Sequence, residues 1–82
     1  MVEYHVILKR FDGSSRPDVC IFYDDDREKA LKAMRKYVKE NGFTIYDKDG
    51  HFTIADVLLV ERERIAGAPV QSAQRYWELF KD

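Results

Sequence analysis

The stretch DDDREKALKAMRKYVKENG, residues 24–42, decides the fold class of this chain because it carries the clearest helical pattern. Its apolar side chains recur at intervals of three and four residues, which places them on one stripe of a helix. An Asp at the start can accept hydrogen bonds from free backbone N–H groups, and the Asn-Gly pair at the end favours a left-handed stop. We therefore predict a helix over residues 26–40 that packs its apolar stripe against a sheet.

Two strand-like segments precede this helix. Alternate residues from Val2 to Leu8 are apolar, with Ile7 as the one apolar exception among the intervening positions. This period of two is typical of a half-buried strand. Residues 12–17 collect turn formers, and residues 19–23 behind them are rich in β-branched and aromatic side chains. The pattern predicts an antiparallel hairpin.

A second hairpin and a second helix are predicted after residue 42. Residues 43–46 and 52–60 flank a turn in which Gly50 suits a positive φ, and the second arm can extend through the alternating charges of residues 61–64. Residues 66–69 break the pattern. Aromatic residues then recur at helical spacing, which predicts a short aromatic helix to the end of the chain.

The predicted fold is a single α+β domain spanning residues 1–82, with the order ββαββα. Its four-stranded antiparallel sheet joins two hairpins edge to edge and carries both helices on one face. The predicted core packs helix residues onto strand residues: Leu31, Met34 and Val38 against Val6, Ile21, Ile54 and Leu58.

Composition narrows the classes of function. Fourteen Lys and Arg oppose fifteen Asp and Glu, so the net charge of −1 gives no strong overall field for nucleic acid or membrane. The longest uninterrupted apolar run, residues 57–60, is too short to span a bilayer, and no N-terminal stretch has the pattern of a secretory leader. Because Cys20 is the only cysteine, an internal disulfide is impossible. We expect a cytoplasmic protein that does not enter a membrane.

No motif for catalysis, cofactor binding or metal binding stands out, and we expect no cofactor and no metal. The Asp-x-Asp-Gly core of the turn at residues 47–50 lacks the other ligand positions of a calcium loop. The acidic residues 24–26 have an ordinary explanation in helix capping. One enzyme interpretation stays open: His5 and Cys20 meet if both face away from Val6, with an acid such as Asp56 orienting the imidazole.

The predicted helix carries a basic stripe. Lys29, Lys32, Lys36 and Lys39 follow one another by three or four residues and line one outward face. The favoured interpretation is a solvated surface, because bases near a helix C-terminus complement its dipole. The alternative is contact with an anionic partner, which would make the chain a nucleic-acid-associated accessory protein.

A second candidate surface is apolar and aromatic. We predict protein contact through Tyr76, Trp77 and Phe80 of the second helix and through Cys20 and Phe22 of the second strand. Two helices on one face leave the other face of an apolar sheet uncovered, which predicts a two-fold homodimer. The expected function is a small non-enzymatic binding or adaptor module that acts through an interface with itself or with a partner protein.

Overall fold

Helix α1 is the element whose ends the sequence determines most directly. In the computed structural model, which describes residues 1–11, 17–46 and 48–80, it spans Arg27–Asn41. The Asp26 carboxylate accepts a hydrogen bond from the Glu28 backbone N–H at 2.9 Å, and Gly42 ends the helix at φ 64°. Glycine adopts a positive φ without the steric cost of a side chain. The predicted helix and both of its end signals are confirmed.

The described residues form five strands and two helices. In chain order these are β1 (Val2–Arg10), β2 (Val19–Asp24), α1, β3 (Thr44–Tyr46), β4 (Phe52–Glu63), β5 (Val70–Arg75) and α2 (Tyr76–Leu79). All pairs are antiparallel, β1 joins β2 to β4, and β3 and β5 both pair with β4. A small α+β fold with an antiparallel sheet and two helices is therefore confirmed, as is the pairing within each predicted hairpin.

The predicted order ββαββα and the count of four strands are wrong at residues 70–75, which form β5. Strand β4 is much longer than β3, while β1 occupies its opposite edge. The rest of the β4 edge would expose unpaired backbone N–H and C=O groups, and β5 pairs with it there. The helical spacing of Ala73 with the later aromatic residues placed the helix start too early, and α2 keeps only four residues.

A β-bulge alters the predicted faces of β2. The register shifts so that Val6 lies opposite Phe22 whereas Ile7 lies opposite Cys20, which leaves Ile21 as the extra residue. Phe22 consequently packs against the core, and Cys20 stays exposed. Regular alternation along this strand would place Cys20 and Phe22 on one face, as their joint prediction as contact residues assumed, and this grouping is wrong.

The core lies between α1 and one face of the sheet, which we call the covered face. Its buried cluster consists of Val6, Leu8, Ala30, Met34, Ile45, Ala55, Val57 and Leu59. Leu31, Val38 and Ile21 pack against it while partly buried. The predicted contributions of Met34 and Val6 are confirmed.

Two predicted core residues of β4 are on the wrong row. Ile54 is 52% exposed, and Leu58 does not belong to the buried cluster. Pairing with β1 sets Leu59 opposite Val6, so the odd-numbered residues of β4 face α1. Both rows of this strand are apolar, and alternation alone does not choose between them.

The opposite side of the sheet, the open face, has no helix over it within the described residues. The α2 side chains Tyr76 and Leu79, with Phe80 after them, pack against the same cluster that α1 covers. Residues 12–16 of the loop predicted at residues 12–17, Asp47 of the second turn and residues 81–82 lie outside the described residues.

Candidate functional site

Exposed apolar side chains gather on the open face where β3 meets β4. We call this group the apolar corner; it consists of Phe11, Tyr46, Phe52 and Ile54, each more than half exposed. The rings of Tyr46 and Phe52 lie 6.2 Å apart on paired residues, and the Phe11 N–H donates to the Ile54 carbonyl at 3.2 Å. Phe11, Phe52, Thr53 and Ile54 line a shallow depression of about 430 Å³. Contiguous exposed apolar side chains are a common feature of protein contact surfaces, which makes this corner a candidate site.

Sequence reasoning missed all four members of the apolar corner, because it assigned Ile54 to the core and did not select the other three. Phe11 continues the outward row of β1 two residues beyond Lys9, and Tyr46 and Phe52 flank the second turn at matching positions. Their outward direction follows only from the phase of β4, which the sequence left ambiguous. Had Ile54 been assigned to the open row, its cross-strand neighbours would have followed it there.

Cys20, His5 and Glu3 form a line across another part of the open face. The Cys20 Sγ lies 3.7 Å from His5 Nδ1, and His5 Nε2 lies 2.8 Å from Glu3 Oε1. A carboxylate only accepts hydrogen bonds, so this contact assigns the ring proton to Nε2 and leaves the Nδ1 lone pair towards the thiol. The Tyr23 ring stacks on His5 at 5.6 Å between centroids. The structure thus brings together the predicted pair of His5 and Cys20.

The acid beside His5 is Glu3, and the suggested role of Asp56 is wrong. Asp56 lies opposite Lys9, well along the sheet from His5, and its Oδ2 lies 2.7 Å from Arg75 Nε. A buried carboxylate is stable when a cation pairs with it, which gives Asp56 a structural task. The nearer acid was available in the sequence, because residues two apart on one strand share a face.

The Cys20–His5–Glu3 line has the components of a base-assisted thiol. Transfer of the S–H proton to Nδ1 would produce a thiolate and an imidazolium that Glu3 stabilises. Arg64 Nε lies 3.1 Å from Glu3 Oε2 and also forms an ion pair with Asp25, so the carboxylate is held in place. Cys20 itself is exposed on the strand surface. The thiol is therefore accessible to small reagents in solution.

The four predicted lysines of α1 are all exposed. Three of them line a groove beside α2, which we call the basic groove, with a volume of about 920 Å³. Its charged and aromatic lining is Lys32, Arg35, Lys36, Lys39, Glu40 and Tyr76. Lys29 lies outside this lining. Four cations against one acid make the groove locally basic although the whole chain is nearly neutral.

Of the three predicted aromatic contact residues, Trp77 points outward. It is 57% exposed, whereas Tyr76 and Phe80 pack against the core cluster. The Trp77 ring rests on Phe43 at 4.7 Å between centroids. The Arg35 guanidinium lies 5.5 Å from the Phe80 ring centroid, a cation–π contact that places its charge beside α2.

Two ionisable side chains are shifted by their surroundings. Burial raises the pKa of the Tyr37 hydroxyl, with a further rise from the nearby phenol of Tyr46. Hydrogen bonds from the N-terminal ammonium and then from Gln71 lower the pKa of Glu63. Neither group belongs to the Cys20–His5–Glu3 line or to the basic groove, so these two pKa shifts concern the stability of the fold.

Within the described residues, no group of three or more His, Cys, Asp and Glu side chains is placed to hold a metal ion. In the same part of the chain, neither helix has the length and apolar character needed to cross a membrane. Comparison with known proteins finds no matching family model, no matching curated protein and no matching solved structure.

Proposed function

We propose that this protein is a binding module that assembles as a two-fold homodimer through its open face. The observation that carries the proposal is the apolar corner, where four large apolar side chains share one exposed side of the sheet. Burying such side chains removes apolar area from water, which drives association. A net charge of −1 offers little repulsion between copies.

The size of the molecule is sufficient for an interface with a second copy of the chain. The molecule is a slab with principal extents of 38 × 32 × 19 Å, so its broad face exceeds the area of about 800 Å² that each partner buries in a standard interface. Along β4 the open row reads Ile54, Asp56, Leu58, Val60, Arg62, and in a single chain Asp56 and Val60 are already buried. The contact would therefore centre on the exposed end of this row at Ile54 and on its neighbours in the apolar corner.

The test is the solution mass from low to high micromolar concentration, measured by light scattering and sedimentation. We expect a shift from one copy to two in the unaltered chain. Ile54→Lys should keep the protein monomeric, because it places a charge in the apolar corner. Ile65→Lys is the matched control, since Ile65 is 70% exposed and lies beyond the end of β4. A mass constant near 9.7 kDa for the unaltered chain would contradict the proposal.

A partner protein in place of a second copy is the closest variant of this proposal. With a partner protein, the chain is expected to stay monomeric at all concentrations and to bind the partner through the apolar corner. Ile54→Lys would then abolish capture without altering mass, so the two assays separate the two kinds of interface.

A second candidate function, a thiol-dependent activity, is favoured by the contact between Cys20 and His5. Its measure is the rate of Cys20 alkylation by iodoacetamide, in which the thiolate sulfur displaces iodide and the thiol proton passes to His5. His5→Ala and Glu3→Gln should slow alkylation if the line assists deprotonation. Equal alkylation rates at neutral pH in the unaltered protein and in both variants would show that Cys20 is an ordinary exposed thiol.

A further inference from the structure

The basic groove is separate from the open face, so the proposed dimer would leave it uncovered. It runs along the outer side of the C-terminal half of α1, towards α2 on the covered side of the sheet. Across the part of the chain that the structure describes, Lys32, Lys36 and Lys39 take part in no ion pair. The described residues therefore leave their ammonium groups available to an anion.

The spacing of these lysines suits a chain of anionic groups. Lys32 and Lys39 are seven residues apart on α1, a rise of about 10 Å along the helix axis. In a stacked nucleic-acid strand, that length covers about three phosphates. Arg35 adds a fourth cation, held beside α2 by its contact with the Phe80 ring.

An exposed aromatic face lies beyond the C-terminal end of the groove. Phe43 follows Gly42 at the end of α1, and the Trp77 ring rests on it at 4.7 Å. Tyr76 lines the groove and lies 6.0 Å from Trp77, so the aromatic residues continue the line of the lysines. The packing on Phe43 fixes the Trp77 ring while more than half of its surface stays in solvent.

We propose that the basic groove and Trp77 together bind single-stranded nucleic acid. The lysines track the phosphates, and Trp77 stacks on an unpaired base, the combination by which single strands are bound without sequence preference. An acidic peptide would use the lysines but has no base for the Trp77 face. A duplex already stacks its bases internally, which leaves the aromatic contact unused.

The experiment is a titration of a fluorescein-labelled uridine dodecamer at low salt, followed by anisotropy and by quenching of Trp77. Trp77 is the only tryptophan, so its emission reports stacking directly. Affinity should fall with salt at a log–log slope of about −2 for three phosphate contacts on a single strand. Trp77→Leu, which keeps an apolar cover on Phe43, should weaken binding by about tenfold.

The charge test compares two double variants with the same change in net charge. The groove variant, Lys36→Glu with Lys39→Glu, should abolish binding. The control variant, Lys9→Glu with Lys48→Glu, should leave the affinity within about a factor of three. Both control lysines are exposed and lie outside the groove. Lys36→Gln with Lys39→Gln should give an intermediate loss, and circular dichroism checks that every variant is folded. Ile54→Lys should bind normally, because this site does not depend on the homodimer.

Three results would overturn the proposal. The first is no anisotropy change at low salt and high micromolar protein. The second is equal loss in the groove variants and the control variants, which would reduce binding to overall charge. The third is equal competition by polyglutamate or by duplex, with Trp77 emission unchanged, which would assign the groove to an acidic protein segment or to duplex phosphates.

Discussion

The two faces of the sheet are built from similar side chains but have different surroundings. On β4, Val57 and Leu59 face α1 and are almost completely buried, while Ile54 on the other row is 52% exposed. The apolar content of a strand therefore does not decide which row becomes core. What decides is the register with β1, which aligns one row of β4 with the residues beneath α1.

The largest expected difference between the faces is thermodynamic. Met34 is fully buried on the side of α1 that faces the sheet, so Met34→Ala should lower the free energy of unfolding by about 2–5 kcal/mol through lost burial and a residual cavity. Ile54→Ala on the open face should change it by less than about 0.5 kcal/mol in dilute solution. Urea denaturation of both variants at low micromolar concentration measures the difference. Similar losses would mean that the open face is covered even in the monomer.

The end of the helix that covers the core provides the next test. Gly42 has φ 64° and ψ −144°, a backbone region that side chains of L-residues avoid. Gly42→Ala should cost about 1–3 kcal/mol from strain in that backbone. Among the described residues, no heavy atom beyond Gly42 and its two neighbours in the chain lies within 4 Å of the position that the new methyl would occupy, so a steric clash adds nothing. A semisynthetic chain with D-alanine at residue 42 should lose little stability, and an equal loss would disprove the strain explanation.

A smaller effect is expected at Tyr37, on the covered side between α1 and β3. Its hydroxyl donates to the Thr44 carbonyl, so Tyr37→Phe should cost about 1 kcal/mol at neutral pH. Because the folded-state pKa is raised above 10.0, the stabilisation is complete below that pH and is lost as pH rises through the folded value. Urea midpoints from neutral to strongly alkaline pH should fall less steeply in Tyr37→Phe than in the parent. An equally steep fall of the urea midpoint in both proteins would show that ionisation of Tyr37 does not cause the loss of stability at alkaline pH.

The smallest effect is expected at Glu63, away from α1 at the end of β4, where hydrogen bonds from the N-terminal ammonium and Gln71 lower its pKa. A lowered folded-state pKa gives stability that is present above 4.5 and is lost as pH falls through the folded value. Glu63→Gln should flatten the acid limb of a stability-against-pH curve. Acetylation of the N-terminus should do the same, and an unchanged acid limb in both chains would contradict the assignment.

The sequence predicts those elements whose signals are local. The Asp26 cap, the Gly42 stop and the apolar stripe of α1 lie within one segment, and each has the predicted role. The errors arise where the deciding contact is distant in sequence. Strand β5 exists because β4 has an unfilled edge.

The candidate sites divide in the same way. The exposed lysines of α1 follow from helical spacing, but the groove they line needs Tyr76 from the other end of the chain. The His5–Cys20 contact was conditional on both residues facing away from Val6, and the bulge in β2 satisfies that condition for Cys20 while turning Phe22 inward. Glu3 was within reach of sequence reasoning through its place on the same face as His5.

Strand β4 pairs with β1 along one edge and with both β3 and β5 along the other, so its amides record two separate processes. Successive N–H groups along a strand point to opposite edges, and hydrogen exchange reads each edge independently. Detachment of β5 with α2 would expose only the amides on the β5 edge, while those facing β1 would wait for the whole sheet to open. A single strand thus distinguishes fraying of the C-terminal segment from global unfolding.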